Sequence, residues 1–423
     1  MKIGILTGTR PDIIKMAPIY WEAKKRGHQP VLIHTSQHFP YHLFEGVYRD
    51  LELPFPPNHL VSYGAVKRMG VHLSKAAYAL DESANLGVSK KFETLATNVF
   101  SRRPSPAQTV GKIMLELNTL FEGKLKDLDI LLVHGDTLTN MAGALAASLN
   151  LIPVGHVEAG LRTFSKEPFP EQIDTRVADA CSDIYFAATQ TNKINLQKEG
   201  FDNERIFVVG NTVVDAAIFA AKKGSKSKSF FEKLGFDFTK KLIYFSCHRR
   251  ENLMHEKRFR AIVESLCELS NEGYQVLWSI RPGTSEAISN YGLGEFVNKH
   301  KNMKTVSEIP KYSDIMFFIS KCHAVVTDSG SMQEETSALH IPTITIRFVT
   351  DRPESIQAGV NLLARPSSKE NISKIIKKAV LPEYNKKMRR MNNPYGDGKS
   401  SKLIIDAIEK FEGKLIEWEH ERG

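Results

Sequence analysis

The stretch "KIGILTGTRPDIIKMAPIYWEAKKRG", residues 2–27, decides the fold. Its first apolar run predicts a buried strand, the Gly-Thr-Arg that follows predicts a turn, and the remainder has the apolar spacing of an amphipathic helix. Residues 240–269, "KKLIYFSCHRRENLMHEKRFRAIVESLCEL", repeat the same scheme. Two such beginnings in one chain predict two α/β halves of similar architecture.

Further strand and helix patterns follow in each half. They begin with the apolar runs at 30–36, 128–137, 205–212, 275–283, 323–330 and 341–347. Strands that alternate with helices at this spacing predict parallel sheets with right-handed crossovers. We therefore expect two Rossmann-like domains facing a cleft. The expected boundaries are 1–212, with an inserted helical segment at about 61–104, then 213–399, and a last helix at 400–423 that packs back on the first domain.

Composition limits the functional classes. The 423 residues have a formal net charge of +9, which suits nucleic acid, an anionic surface or a small anionic substrate. The basic clusters at 222–229 and 386–390 contain no aromatic residue and no nucleic-acid motif, so we expect no nucleic-acid partner. Four scattered cysteines without a CxxC pair suit a reducing compartment. No segment has the apolar length of a membrane span, so we expect a cytoplasmic protein without a membrane partner.

Polar residues gather where the predicted strands end, which is where ligands bind in open α/β sheets. In chain order they are Arg10, Lys15, His134, Asp136, Glu158, Arg162, Glu171, His248, Ser329, Gly330, Ser331, Glu335 and Arg352. Each has a structural alternative, since "HGDT" and "DSGS" can be helix caps and Gly-Thr-Arg can be a simple turn. Taken together, these residues combine cationic side chains, helices that begin at Ser and Gly, and three carboxylates. This combination predicts a binding site.

The two kinds of residue predict the two parts of a ligand. A helix that starts at "SGS" offers backbone N–H groups to an anion. Four side chains add donors for a diphosphate, and Glu335 suits ribose hydroxyls; the four are Arg10, Lys15, His248 and Arg352. The carboxylates Asp136, Glu158 and Glu171 should face an uncharged part, which suggests a nucleotide sugar.

No cofactor is predicted. The chain has no GxGxxG after a strand and no P-loop, so a bound nicotinamide or a P-loop nucleotide site is not expected. His38 and His42 have the spacing of a metal pair, but Pro40 between them weakens the helix that such a pair needs. We therefore predict neither a metal nor a redox cofactor.

With these residues in hand, the chain resembles the non-hydrolysing UDP-N-acetylglucosamine 2-epimerase family. Ten motifs match in order from residue 8 to residue 398: "GTRPDIIKMAP", "TSQH", "HGDT", "GHVEAGLRT", "PEQID", "GNTVVDA", "HRREN", "TDSGSMQEE", "DRPES" and "NPYGDG". The resemblance implies a GT-B-like fold, a homodimer, a UDP-sugar substrate and inversion at C2. It also implies anti elimination of UDP to a 2-acetamidoglucal, followed by re-addition.

The resemblance implies a role for each matching residue. Asp136, Glu158 and Glu171 are similar to the carboxylates implicated in proton transfer, and His248 belongs both to this catalytic set and to the UDP-binding set. The other members of the UDP-binding set are Arg10, Lys15, Ser329, Gly330, Ser331, Glu335 and Arg352.

Several alternatives stay open. The same motifs occur in hydrolysing epimerases, and "TSQHFPYHLF" is more similar to enzymes acting on UDP-2,3-diacetamido-2,3-dideoxyglucuronate. A GT-B glycosyltransferase and a nucleotide-sugar sensor are less favoured, because the three carboxylates are present. Asp174 and Thr175 replace the family's Asn-Arg pair. Phe39, Pro40 and Arg281 replace polar groups of an allosteric site found in some relatives, which predicts that this regulation is lost.

Overall fold

The computed structural model describes residues 1–35, 42–56, 58–59, 105–164, 169–307, 309, 311–350 and 352–412. The expected insertion at 61–104 lies outside the described residues, as do His38, Phe39 and Pro40. The chain divides into two compact units. The first is Met1–Val209 together with the segment that starts at Lys402, and the second is Gly210–Ser401.

A seven-stranded sheet forms the centre of the first unit, and its neighbouring strands pair in parallel. The strands are β1 (Lys2–Thr7), β2 (Gln29–His34), β3 (Asn58–His59), β4 (Ile130–His134), β5 (Val154–Val157), β6 (Ile184–Ala187) and β7 (Ile206–Val208). Their spatial order is β3-β2-β1-β4-β5-β6-β7. The order reverses between β1 and β4, the place where open α/β sheets bind ligands.

Helices connect these strands. They are α1 (Arg10–Lys25), α2 (His42–Asp50), α3 (Pro106–Glu122), α4 (Leu138–Leu149), α5 (Glu171–Ala180) and α6 (Gln190–Lys198). The start of α1 is fixed by a capping box, in which Thr9 accepts from the Asp12 N–H and Asp12 accepts from the Thr9 N–H. Gly8 precedes this cap because a Cβ there would lie 2.0 Å from Thr139 Oγ1. The turn between β1 and α1 is therefore tightly specified.

The second unit repeats this plan with six parallel strands in the order β10-β9-β8-β11-β12-β13. They are β8 (Leu242–Ser246), β9 (Gln275–Ser279), β10 (Met303–Val306), β11 (Ala324–Thr327), β12 (Thr343–Thr345) and β13 (Asn361–Leu363). The order reverses between β8 and β11, so the second unit also has a switch point.

The helices of the second unit complete the alternation. They are α7 (Thr212–Lys223), α8 (Lys228–Lys233), α9 (Arg250–Leu253), α10 (Glu256–Asn271), α11 (Pro282–Asn290), α12 (Gly294–Asn298), α13 (Tyr312–Ser320), α14 (Gly330–Ala338), α15 (Pro353–Gln357), α16 (Lys369–Val380) and α17 (Pro382–Met388). Trp278 of β9 is fully buried and packs on Phe245 of β8, with ring centroids 4.9 Å apart. Burial on both faces of the sheet explains the continuous apolar runs of these strands.

The last helix, α18 (Ser400–Lys410), begins in the second unit and continues in the first. Asp215 accepts hydrogen bonds from the backbone N–H groups of Ser400 and Ser401. Further along the helix, Asp406 and Glu409 form ion pairs with Arg26, the C-cap residue of α1, at 2.6 and 2.8 Å.

The prediction of an α/β fold with two Rossmann-like sheets is confirmed. Four strands had no predicted counterpart: β3, β6, β10 and β13. These strands have only two to four residues, which is too short for hydrophobic periodicity to distinguish them from loops.

Candidate functional site

Four charged side chains form a buried quartet at the switch point of the first unit: Asp12, Lys15, His134 and Glu158. Lys15 Nζ lies 2.5 Å from Glu158 Oε1. His134 lies between two carboxylates, with Nδ1 3.2 Å from Asp12 Oδ1 and Nε2 3.4 Å from Glu158 Oε2. All four side chains are at most 7% exposed. Two carboxylates and two cationic groups thus balance each other out of water, as buried charges require.

Glu158 has a backbone conformation that few residues adopt. Its φ is +65°, in the left-handed region, directly after β5 ends at Val157. For a residue other than glycine this costs about 1–3 kcal/mol, and such strain concentrates at functional sites. Gly135 opposite it also has a positive φ, and a Cβ on Gly135 would lie 3.4 Å from Glu158 Oε2.

The rest of the "GHVEAGLRT" stretch supports this turn. His156 is fully buried, with Nδ1 2.6 Å from Asp179 Oδ1 and Nε2 2.9 Å from the Gly135 carbonyl oxygen. Arg162 pairs with Asp179 at 2.8 Å and with Glu199 at 2.6 Å. These contacts join the ends of β4 and β5 to α5. His156 and Arg162 therefore have a structural role, whereas Glu158 belongs to the quartet.

The electrostatics of the quartet favour a protonated His134. Burial alone would lower the pKa of His134, but the charges of Glu158 and Asp12 outweigh it and raise the pKa to about 9. Although the sequence places His134 among the polar residues at the strand ends, it was assigned neither to the catalytic set nor to the UDP-binding set. The signal was its place in "HGDT", next to Asp136.

The raised pKa of His134 predicts a pH-dependent contribution to stability. A folded pKa above the unfolded value stabilises the fold fully below about pH 6.5, and this contribution disappears as the pH rises through about 9. We expect the loss of unfolding free energy caused by His134→Asn to shrink by about 3 kcal/mol between about pH 6 and about pH 10. Urea unfolding of both proteins measures this, with His255→Asn, at an exposed position, as the control. A difference independent of pH would contradict a protonated His134.

Three further carboxyl groups lie close to one another in the same unit. Asp136 follows β4, and Glu171 is the first residue of α5. Asp136 is not the N-cap residue of α4, because Thr137 occupies that position. The Thr137 side chain makes no cap hydrogen bond. Asp136 and Glu171 both act electrostatically on Asp174. The structure thus joins two predicted site residues to one that sequence reasoning treated only as a departure from the family pattern.

Two predicted UDP-binding residues also lie in the first unit. Arg10 is exposed at the first position of α1, whereas Lys15, one turn further on, is buried against Glu158. The prediction that Lys15 binds phosphate stays a prediction. In this structure its ammonium group contacts the carboxylate side of the site.

In the second unit, Asp328 organises the switch point. It is fully buried, and its carboxylate accepts from the backbone N–H groups of His248 and Arg249 and from Asn252 Nδ2, at 3.0–3.1 Å. These contacts connect the end of β11 to the loop after β8. Sequence reasoning interpreted the Asp-Ser-Gly-Ser segment as a helix cap or an anion-binding helix start and gave Asp328 no role of its own, so this function of Asp328 was missed.

His248 lies beside this carboxylate. Its Nδ1 is 3.2 Å from Asp328 Oδ1, at ion-pair distance but without hydrogen-bond geometry. Burial lowers the pKa of His248 below its ordinary value although Asp328 acts in the opposite direction, and Arg281 and Arg249 lower it further. His248 is therefore neutral near pH 7, and Arg281 is a neighbouring cation.

The start of α14, where the sequence predicts an anion site, has an N-cap residue without a side-chain cap. Ser329 is the N-cap residue, but its side chain makes no cap hydrogen bond; its Oγ lies 3.4 Å from Ser331 Oγ. The helix begins at Gly330, and Glu335 is buried in its second turn. The first backbone N–H groups of α14 are thus without a side-chain cap, a feature of helix N-termini that bind phosphate.

Arg352 is held by the residue next to Glu335. Its Nε donates to Glu334 Oε1 at 2.7 Å, and Asn211 Nδ2 donates to the same oxygen at 3.2 Å. Glu334 is almost completely buried. This pairing holds Arg352 near α14. The sequence predicted a role for Glu335 in this helix but none for Glu334.

The described residues contain neither a candidate membrane span nor a candidate metal site. No helix among them is long and apolar enough to cross a membrane. In the same part of the chain, no group of three or more His, Cys, Asp or Glu residues is placed to hold a metal ion.

Known proteins resemble this chain over nearly its whole length. The sequence model of the family described as UDP-N-acetylglucosamine 2-epimerase matches residues 22–409. The UDP-N-acetylglucosamine 2-epimerase of Methanocaldococcus jannaschii is 33% identical over 414 residues, 96% of this chain and 99% of that protein. The enzyme of the same name from Bacillus subtilis is 33% identical over 417 residues, 96% of this chain and 95% of that protein.

Solved structures agree. The UDP-GlcNAc 2-epimerase of Methanocaldococcus jannaschii has a TM-score of 0.77 at 29% identity, covering 97% of this chain and 100% of that one. The Neisseria meningitidis enzyme, bound to UDP-GlcNAc, has a TM-score of 0.76 at 29% identity with the same coverage. The resemblance seen in the ten motifs is confirmed, and the chain belongs to the UDP-N-acetylglucosamine 2-epimerase family.

Proposed function

We propose that this protein is an isomerase that interconverts UDP-GlcNAc and UDP-ManNAc by inverting C2 of the sugar. The observation that carries this proposal is the strained Glu158, held at the switch point of the first unit between Lys15 and His134. A carboxylate fixed in this way is preorganised for proton transfer, and the family of the chain indicates which proton is transferred.

The reaction needs one group to remove a proton and another to return it on the opposite face. The C2–H and C1–O bonds break, UDP leaves, and a C1–C2 double bond forms in the 2-acetamidoglucal. Protonation of C2 from the other face and re-addition of UDP at C1 complete the inversion, with no net oxidation or reduction. We assign the proton transfers to Asp136, Glu158 and Glu171, which belong to two separate groups of carboxylates in the first unit.

The second unit suits the leaving diphosphate. We assign UDP to the start of α14, with Ser329, Gly330 and Ser331, and to the nearby His248 and Arg352. A neutral His248 can donate a hydrogen bond to a phosphate oxygen, and Glu335 suits the ribose. Because a C2 hydrogen is barely acidic, stabilisation of the departing diphosphate should supply the larger part of catalysis. We infer that Arg10 and Lys15 complete the substrate-binding set.

A panel of UDP-sugars followed by proton NMR tests the proposed function. We expect UDP-GlcNAc to yield an equilibrium mixture with UDP-ManNAc, without accumulation of free UDP. Accumulating UDP and free sugar would indicate a hydrolysing epimerase. Turnover of UDP-2,3-diacetamido-2,3-dideoxyglucuronate alone would transfer the proposal to that substrate.

We also infer that the protein is a cytoplasmic homodimer, as the family resemblance implies. Light scattering would test the dimer.

A further inference from the structure

Asp174 lies in the first unit beside two of the proposed catalytic carboxylates. It is three residues after Glu171 on α5, so the two side chains share a helix face, with Cβ atoms about 5–6 Å apart. Asp136 contributes a third carboxyl group from the turn after β4. We call Asp136, Glu171 and Asp174 the carboxyl cluster.

The cluster contains buried oxygen atoms without donors. Asp174 is 2% exposed, and its Oδ1 has no hydrogen-bond partner among the described residues. The same holds, within the described part of the chain, for Oε2 of Glu171. An ionised carboxylate buried without a donor is costly, whereas a protonated carboxyl group carries its own donor.

Among the residues that the structure describes, no cation compensates the cluster at Asp174. Within the described part of the chain, the charges that act on Asp174 are those of Asp136, from the β4 turn, and Glu171, from its own helix. Helix α4, which packs against α5, contains no titratable residue. Arg176 is exposed, and its charge acts on Glu199. Burial, then Asp136, then Glu171 raise the pKa of Asp174 from 3.8 to about 7.

We propose that Asp174 holds a proton for this site: its carboxyl group is protonated in the resting protein and exchanges that proton with Glu171, one helical turn away. In the exchange, the proton leaves an oxygen of Asp174 and binds an oxygen of Glu171, and the negative charge moves the other way. Nothing is oxidised or reduced. Protonation of Asp174 stands on the structure alone, whereas its use in turnover rests on the proposed epimerase function.

In turnover, the exchange would restore the proton that Glu171 gives to the sugar. Asp174 acts through Glu171, so it is a positioning residue rather than one that touches the reacting carbon. Keeping one proton in the cluster also limits its negative charge, which would otherwise repel a UDP-sugar. Above about pH 7 Asp174 loses its proton, so both effects fade as the pH rises.

The test uses Asp174→Asn, which keeps the size and neutrality of the protonated group but cannot release a proton. We expect kcat to fall by about tenfold, with UDP affinity unchanged, and the decline of the wild-type rate above about pH 7 to disappear. Asp127→Asn, an exposed change in the same unit, should keep the wild-type rate and profile. Wild-type kcat in Asp174→Asn at every pH, or an unchanged alkaline decline, would overturn the proposal.

A second measurement does not depend on activity. Carbon-13 NMR of the aspartate carboxyl groups in the ligand-free full chain should show one group titrating near pH 7 that is missing in Asp174→Asn and present in Asp127→Asn. If that titration is found but no UDP-sugar is epimerised, the proposed function fails and the protonated Asp174 stands. If no such titration exists, the proposal is wrong whatever the enzyme catalyses.

Discussion

Replacing Glu158 with glutamine is expected to reduce turnover by about 10²–10⁴-fold while affinity for UDP stays nearly unchanged. The amide keeps the shape of the side chain but cannot accept the C2 proton. Steady-state kinetics with UDP-GlcNAc and calorimetry with UDP measure the two effects separately. Arg352→Ala should give the opposite pattern, weakening UDP binding more than it changes the chemical step. If Glu158→Gln loses UDP affinity instead, the two halves of the site are assigned wrongly.

The same substitution should also destabilise the protein, because it leaves Lys15 buried without its 2.5 Å partner. Removing one member of a buried ion pair costs about 3–5 kcal/mol. The double variant Lys15→Met with Glu158→Gln removes both charges, so it should regain much of that stability without regaining activity. Recovery of activity in the double variant would mean that Glu158 acts only through the structure of the quartet.

Replacing Asp328 with alanine is expected to have the largest effect in the second unit. The change removes the acceptor of two part-buried backbone N–H groups and leaves Asn252 Nδ2 with only the Ile346 carbonyl oxygen, at up to about 1–3 kcal/mol for each lost hydrogen bond. The loop carrying His248 then loses most of its hydrogen bonds to the end of β11 and keeps the one from Arg249 Nε to the carbonyl oxygen of residue 328, so UDP affinity should fall by about tenfold or more. Hydrogen exchange of residues 246–253 and calorimetry with UDP measure these effects.

The control for this variant is Asp237→Ala, since Asp237 also accepts a backbone N–H, from Thr239, but at an exposed position. It should change unfolding free energy by less than about 1 kcal/mol and leave UDP binding intact. Unchanged UDP affinity in Asp328→Ala would show that this carboxylate does not position the nucleotide loop.

The sequence predicts well what depends on local patterns. Apolar runs followed by amphipathic helices predicted both sheets, and the rule that ligands bind at carboxyl ends of strands predicted a site at the turn that carries Glu158. The chain's own motifs also indicated the family. These features depend on residues that are neighbours in the chain, so one sequence is sufficient to find them.

Contacts between distant residues were beyond this reasoning. Glu158 meets Lys15 across 143 positions, and nothing in the sequence distinguishes that pairing from a phosphate contact by Lys15. The Asp328 carboxylate accepts a hydrogen bond from the backbone N–H of His248, which is 80 positions away in the chain. Asp174 appeared as a departure from the family motif; its burial beside Asp136 and Glu171 became visible only in the fold.

The account's central claim is that the protein inverts C2 by removing and returning a proton there. The most direct test is proton NMR of UDP-GlcNAc incubated with the protein in D₂O. The account predicts that UDP-ManNAc forms with deuterium at C2, that UDP-GlcNAc also acquires deuterium at C2, and that Glu158→Gln slows both processes. Formation of UDP-ManNAc with the original C2 hydrogen retained would contradict it.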